Sequence, residues 1–475
     1  MRESLRLRVV RLGDQAERLA FLAKYIPKLP GTGVVYALTV ADVKRIADWL
    51  CAEGIHAAAY HADLESNVRE SLEDRFQRNE IKVLCATTAL GMGYDKGDVS
   101  FVIHFQRPGS IIAYYQQIGR AGRALNLAEV VLLEGWEDDE INTYFIESAF
   151  PNRGVFEAIQ ARLGQGDVGS INALVSHTNF TYGQVEKAVR LMEVAGAIRR
   201  EGRRYVLADE LWGFAELRSE EVVAARKMEL AQMREYAETP RCRMEFLARA
   251  LDDPTAAPCG RCDRCRPAVA PSIDHTTTLR ALRFLQRHVQ VIEPKKMFPA
   301  GVFAEGRKKI PDAEVLEQGL ALGVYGDAGW GKLVRQGKYH AGRYSDELLE
   351  PAVEAIRSMS VVPEWLTWIP SLRHPELVPD FGKRLADALG IPALACLERT
   401  EAPEQKSMHN ASRQFLNVWS TFRVATSPPQ AAGLLFDDIV DSGWTLTACG
   451  VLLLRSGASR IVPFALASAR PREEP

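Results

Sequence analysis

Four cysteines, Cys242, Cys259, Cys262 and Cys265, fall within 24 residues at the spacing C-x16-C-x2-C-x2-C, while Cys51, Cys85, Cys396 and Cys449 stand apart in apolar surroundings. Four thiolates converging from one short stretch satisfy a tetrahedral zinc with no open position for a reacting ligand, so the spacing predicts a structural metal knuckle. Free thiols and an iron–sulfur cluster are the alternatives. In a reducing compartment such clustering points to metal rather than to disulfides. The remainder of the 475-residue chain is too long for one core, and about three or four domains are expected.

Composition narrows the function classes. Apolar residues make up 47% and charged residues 25%, and no uncharged apolar run approaches the ~18 residues of a membrane span, which predicts a soluble protein without a membrane partner. The opening MRESLRLRVVRL has no continuous apolar core or small-residue cleavage site, so a cytoplasmic location is expected. A net charge of −2 excludes nucleic-acid binding by bulk charge, so any DNA contact must be local.

From Gly33 to Gly135, short β-branched runs (VVYAL, KVLCAT, SFVIHF, VVLLEG) alternate with helical patterns such as ADVKRIADWLCAEG, in which Val43, Ile46, Ala47 and Leu50 share a face. Such alternation predicts a parallel α/β sheet. Ser170 to Ala208 reads as helix, turn, helix and a tight hairpin turning at Gly202, the pattern of a winged helix, with Gly196 capping its second helix. A polar amphipathic helix between Glu216 and Ala237 leads to the cysteines, and PAVAPS (267–272) reads as a linker. Beyond it, LVPDFGKRLADALG, AGLLFDD and TLTACGVLLLRSG read as helix, strand and helix of a second α/β domain.

Three stretches in order, GTGVVYALT with YHADLESNVR, VLCATTALGMGYDKGDVSFVIHF and YYQQIGRAGR, resemble motifs IV, V and VI of superfamily 2 helicases, most closely the RecQ family. The last presents Gln116, Arg120 and Arg123 on one side, where Gly119 and Gly122 allow close backbone approach. The motif is expected to open or border a helix, and such arginines can stabilise charge that develops on a γ-phosphate held by a neighbouring lobe, although two arginines near a helix start can also be merely solvated. By the resemblance, Thr87, Thr88, Gly91 and Gly93 face the DNA backbone and Asp95 bridges toward the nucleotide. Asp63 departs from the glycine usual at its place.

The same resemblance defines what is missing. Phosphoryl transfer in P-loop enzymes needs a glycine-rich loop with lysine on the phosphates and an acidic strand end on magnesium. No DExH or DExD box occurs, and the string Gly326 to Leu333 (GDAGWGKL) ends in leucine where serine or threonine would ligate magnesium, with no clear β run before it, so it reads as a decoy. The expectation is an ATP-binding N-terminal lobe that is separate or missing, with ATP and magnesium bound only in its presence.

The cysteine spacing matches the RecQ zinc module, around which Arg241, Arg243, Arg261, Arg264 and Arg266 are candidate phosphate contacts or a solvated face. The hairpin offers Arg199, Arg200, Arg203, Arg204 and Tyr205 for gripping a backbone and stacking on a base, against the alternative of a protein-interaction module. Here the winged-helix pattern precedes the cysteines, the reverse of the familiar RecQ order, and so resembles a shorter bacterial RecQ-like branch.

Finally, LLFDDIVDSGWTLTACG places two acids at a strand end and then a loop opening a helix, an arrangement suited to ribose hydroxyls or magnesium beside a phosphate. It resembles the phosphoribosyl-pyrophosphate motif of type I phosphoribosyltransferases, and the segments around it resemble ComF-like competence proteins. That likeness implies that Asp437 and Asp438 hold ribose, Asp441 stands at the place of a general base, Ser442, Gly443, Trp444 and Thr445 cradle the 5′-phosphate, and Arg373 and Arg413 meet pyrophosphate, with magnesium. Trp444 departs from the small residue common there, and a regulatory domain without transferase activity is the alternative.

The expected architecture is therefore α/β multidomain: a second RecA-like helicase lobe (1–137), a winged helix (138–212), a helix with the four-cysteine zinc module (213–268), a linker and accessory region (269–345) and a phosphoribosyltransferase-like domain (346–475). The function implied is the C-terminal portion of an ATP-dependent 3′-5′ DNA helicase of repair or recombination, bacterial and nucleoid-associated, that alone binds single-stranded DNA and duplex junctions without hydrolysing ATP. The alternatives are a phosphoribosyltransferase or phosphoribosyl-pyrophosphate sensor docked on DNA, and a non-catalytic DNA-binding accessory protein.

Overall fold

Strands buried along their whole length, such as β2 (Thr32–Tyr36), β4 (Val83–Ala86) and β5 (Val99–His104), arise from continuous apolar runs and belong where helices cover both faces of a sheet. With β1 (Leu5–Arg11), β3 (Ala57–Tyr60) and β6 (Ala128–Glu134) they form a wholly parallel six-stranded sheet ordered β1-β6-β5-β2-β4-β3. The computed structural model describes the chain except residues 1–2, 91–93, 136, 167–168, 203, 209–218, 268–272, 288, 300–307, 401–410 and 470–475, and the side chains of 219–220 and 411–414.

Helices α1 (Gln15–Tyr25), α2 (Val40–Ala52), α3 (Ser66–Gln77) and α4 (Ile111–Ile118) connect these strands. Asp14, Thr39 and Ser110 cap α1, α2 and α4 by accepting backbone N–H bonds, and α2 buries Val43, Ile46, Ala47 and Leu50 as its periodicity predicts. The described chain divides into two compact units, one built from residues 1–149 and 219–285 and the other from 150–218 and 286–472. Helix α5 (Glu137–Ala149), expected to open the second domain, instead continues the first unit. Its Asp138 is fully buried and pairs with buried Arg18 at 2.8 Å, a long-range partner that local sequence does not announce.

Within the first unit, α9 (Ser219–Glu238) packs on α4 and α5, and α10 (Arg243–Ala250) packs on α4, α9 and β1. Helix α11 (His275–Gln286) joins through Arg280, which donates to Glu53 at 2.7 Å. Cys242, Met244, Phe246, Leu247 and Cys262 share one core with Leu5, Leu7, Tyr114 and Tyr236, so the cysteine module and the sheet form one hydrophobic body.

In the second unit, α6 (Arg153–Gly164), α7 (Ile171–His177) and α8 (Tyr182–Val194) enclose Phe156, Ile159, Leu174, Val185 and Met192, and are followed by the antiparallel hairpin β7 (Ile198–Glu201) and β8 (Arg204–Leu207). A Thr181–Gln184 capping box starts α8, and Gly202 turns the hairpin.

The same unit contains a five-stranded sheet ordered β11-β14-β15-β10-β9, formed by β9 (Gln290–Ile292), β10 (Gly319–Val324), β11 (Trp365–Trp368), β14 (Ala432–Val440) and β15 (Arg460–Ser468). Only β9 runs antiparallel. Helices α12 (Trp330–Gln336), α13 (Leu349–Arg357), α14 (Leu377–Leu389), α15 (Ala411–Thr421) and α16 (Trp444–Arg455) flank it, and β12 (Leu397–Arg399) with β13 (Phe422–Val424) makes a separate ribbon. Two strands of this sheet therefore come from the stretch 269–345 expected as a linker and accessory region.

Strand β10 also corrects the expectation that no β run precedes the GxxxxGK string: it ends two residues before Gly326, and α12 follows. Its two glycines hide the strand pattern, and Gly319 serves close packing, since a Cβ there would collide with the Pro463 carbonyl. Among the described residues no helix is long and apolar enough to cross a membrane.

Candidate functional site

The four cysteines converge as their spacing predicts. Their sulfurs lie within 4.8 Å of one another, with Cys262 at 3.8 Å from Cys242 and 3.6 Å from Cys265. Tetrahedral ligation at a zinc–sulfur distance of ~2.3 Å puts sulfurs about 3.8 Å apart, so the set fits one closed structural zinc site. Backbone N–H groups of Cys259 and Cys262 point at the sulfurs of Cys242 and Cys259, as thiolate ligands require.

Between two of the ligands, Asp263 clamps the module to the sheet. Its carboxylate accepts from Arg243 Nε at 2.6 Å and from the Val9 amide at 3.0 Å, and its own amide donates to the Leu7 carbonyl at 3.0 Å. These bonds cover the outer edge of β1. Arg243, grouped in the sequence with possible phosphate contacts, is 2% exposed and also donates to the Tyr236 carbonyl, so its role is internal. Arg241, Arg264 and Arg266 are exposed.

The segment 87–98 runs from the end of β4 to the start of β5. Thr88 is exposed at its beginning, beside half-buried Thr87, whose hydroxyl accepts from the Ala89 amide at 3.3 Å. Gly91 and Gly93 lie outside the described residues. At the far end, Tyr94 and Asp95 meet the arginines that follow α4: Arg120 donates to the Tyr94 carbonyl at 2.8 Å, and Arg123 pairs with Asp95. Gln116 is exposed on α4. The neighbouring Gln117 bonds Nε2 of His104 at 2.8 Å. Burial pushes the His104 imidazole down to about 4, keeping it neutral beneath Tyr36 and Tyr114. Asp63 is exposed and lies 3.6 Å from buried His61.

The model described as helicase conserved C-terminal domain matches residues 17–125, and the model described as RecQ zinc-binding matches residues 202–266. The front of the chain is a RecQ-type superfamily 2 helicase C-terminal region. Its similarity to ATP-dependent DNA helicase RecQ is 48% identity over 101 residues in Pasteurella multocida, covering 21% of this chain and 16% of that protein. For the RecQ of Synechocystis it is 28% over 276 residues, covering 56% and 55%, and for that of Bacillus subtilis 36% over 149 residues, covering 31% and 25%. The chain thus spans about half or less of the length of the curated relatives it matches.

At the start of the second matched stretch, the hairpin displays part of the charge expected of it. Arg199, Arg200 and Arg204 are exposed, but Arg199 is paired with Glu201 at 2.9 Å and Arg200 donates to the Gly202 carbonyl; Arg203 lies outside the described residues. Tyr205 is half-buried against the small helical core, so its ring packs inward rather than standing free for a base.

C-terminal to the RecQ-type region in sequence, the acid pair near the end of β14, two residues before its last, forms one wall of a cavity of about 390 Å³ also lined by Lys338, Arg373, His374, Arg399 and Thr445. Buried Asp438 accepts from Lys338 Nζ and from the Tyr344 hydroxyl, each at 2.7 Å and on the same oxygen. Burial, and then the adjacent Asp438 charge, pushes the Asp437 carboxyl well above the usual carboxylate range. Gly443, at φ 76°, makes the left-handed turn that opens α16, with Asp441 exposed and Ser442 half-buried before it. Trp444 does not obstruct the cavity: its indole is buried edge-on against Phe415, leaving only its backbone at the helix start. Arg413 sits in α15 with its side chain outside the described residues.

Lys338 and Tyr344 come from a stretch whose sequence carries no motif. A single π-helical turn, 337–341, presents Lys338. In the nearby GxxxxGK loop, Asp327 takes up loop amides, accepting from those of Gly329 and Gly331 at 3.1 and 3.0 Å. A Cβ on Gly331 would collide with the Val324 carbonyl, so that glycine serves packing.

Proposed function

We propose that the RecQ-type region is the second motor lobe of an ATP-dependent 3′-5′ DNA helicase of repair or recombination, acting with an ATP-binding lobe. The observation that carries this reading is the segment 87–98, which joins the threonines to the arginine-bearing turn through the Tyr94–Arg120 and Asp95–Arg123 contacts. Thr87 and Thr88, with Gly91 and Gly93, hold the DNA backbone without reading sequence. Arg120 and Arg123, with Gln116, face the γ-phosphate of ATP and magnesium held by the other lobe, and their charge stabilises the transferring phosphoryl group. Movement of one end of the segment is transmitted to the other, which couples nucleotide state to DNA grip.

In this reading residues 150–208 are a winged helix whose hairpin arginines add phosphate contacts, and the whole chain works on DNA in the bacterial cytoplasm. Fluorescence anisotropy with a single-stranded oligonucleotide across a salt series tests it. Each arginine on a phosphate contributes about 0.7 to the slope of log K against log salt, so Arg199→Ala, Arg200→Ala and Arg204→Ala together lower the slope by up to roughly 2. Absence of DNA binding by the wild type refutes the reading. DNA-stimulated ATP hydrolysis by this chain alone refutes the requirement for another lobe.

A second reading applies to residues 319–468. The acid pair, the Gly443 turn at the start of α16 and the cationic cavity wall support a phosphoribosyltransferase-like domain that takes phosphoribosyl pyrophosphate, either as a transferase with Asp441 as base or as a sensor. Arg373 lines the cavity as a pyrophosphate contact would.

A further inference from the structure

We propose that Lys338 is a built-in counter-cation of the C-terminal cavity, so that the site binds a 5′-phosphorylated pentose without a divalent metal ion. The inference rests on the phosphoribosyltransferase-like reading of residues 319–468 and specifies how that site handles charge.

A carboxylate buried at a strand end needs a cation or several donors to be tolerated. Asp438 has both: Lys338 Nζ and the Tyr344 hydroxyl each bond its Oδ2 at 2.7 Å. A metal ion on that oxygen would have to displace these two donors and sit a few ångströms from an ammonium group in a poorly solvated place, where like charges repel strongly.

The cation is held in place by the fold. Lys338 is carried on the π turn 337–341, which continues directly from α12 and ends at Gly342. Gly337 packs so closely on Tyr344 that a Cβ would collide with its ring, and Arg384 fixes Tyr344 from the other side by donating to its carbonyl at 3.0 Å. Lys338 lines the cavity alongside Asp437 and Thr445, with Arg373 and His374 completing a wall suited to a phosphate and a polyhydroxylated ring. At about 390 Å³ the cavity falls in the size range of small-molecule sites.

Calorimetry on the full chain with ribose 5-phosphate, in EDTA and in millimolar magnesium, tests the proposal. The expected wild-type affinity changes less than about threefold between the two conditions. Lys338→Met loses at least about tenfold in EDTA and recovers when magnesium is added, whereas Lys338→Arg stays close to wild type. Similar affinities for phosphoribosyl pyrophosphate, adenosine monophosphate and ribose 5-phosphate support the phosphopentose as the recognised part, and inorganic phosphate binding as tightly as ribose 5-phosphate overturns it. Wild-type binding that appears only with magnesium overturns the role of Lys338 while leaving the cavity assignment standing. Absence of binding by any of these ligands in both conditions overturns the cavity assignment itself. Should Lys338→Met fail to fold, the wild-type comparison in EDTA still decides.

Discussion

Replacing Asp263 with alanine removes one carboxylate that serves two partners. Arg243, 2% exposed on its side chain, keeps its charge and loses its only described ion-pair partner, and the Val9 amide on the edge of β1 loses its acceptor. Breaking a buried ion pair from one side costs about 3–5 kcal/mol, and a lost backbone hydrogen bond about 1 kcal/mol more. For a unit of this size that corresponds to a fall of roughly 10–20 °C in the unfolding midpoint, read by calorimetry on the zinc-loaded chain. Because the penalty comes from a stranded guanidinium, the double variant Arg243→Leu with Asp263→Ala should be less destabilised than the sum of the two single variants. A change below about 0.5 kcal/mol for Asp263→Ala, or strict additivity in the double variant, refutes the assignment of Asp263 as the clamp.

Stripping zinc with a chelator should abolish hydrogen-exchange protection at the Val9 amide while leaving amides of β2 and β4 protected; equal loss across the sheet would show that the metal supports the whole core instead. His104 provides the pH dependence: its imidazole is held at about 4 in the fold against about 6.5 when unfolded, so the unfolded chain takes up the proton first. Stability is full above pH 6.5 and falls as pH drops toward 4, by about 2 kcal/mol between pH 7 and pH 5, and His104→Phe should flatten this part of the curve in denaturant titrations.

Much of the functional layout was legible because chemistry in these regions is written in consecutive residues. The cysteine spacing, the GRAGR turn and the DD-x2-DSG string each place their groups through local geometry, although the GRAGR turn follows the end of α4 where a helix start was expected. What escaped depends on distant partners. Arg243 reads as one of five solvent-facing arginines until Asp263 and the Tyr236 carbonyl are seen to enclose it. Lys338 meets an aspartate 100 residues away, from a π turn that has no residue signature. Strand β10 is concealed by two glycines, of which Gly319 serves close approach to Pro463, and the direction of Trp444 follows from its edge-on contact with Phe415.

The covering of β1 by Asp263 has a bearing on how the chain is made. Strand β1 pairs with β6 across more than a hundred residues, and its other edge waits for residue 263 and for the metal that shapes the knuckle around it. During synthesis, and whenever zinc is scarce, that edge is an open template of unpaired backbone groups on which a second chain can add. The knuckle that holds Asp263 in place therefore also shields the β1 edge from pairing with another strand.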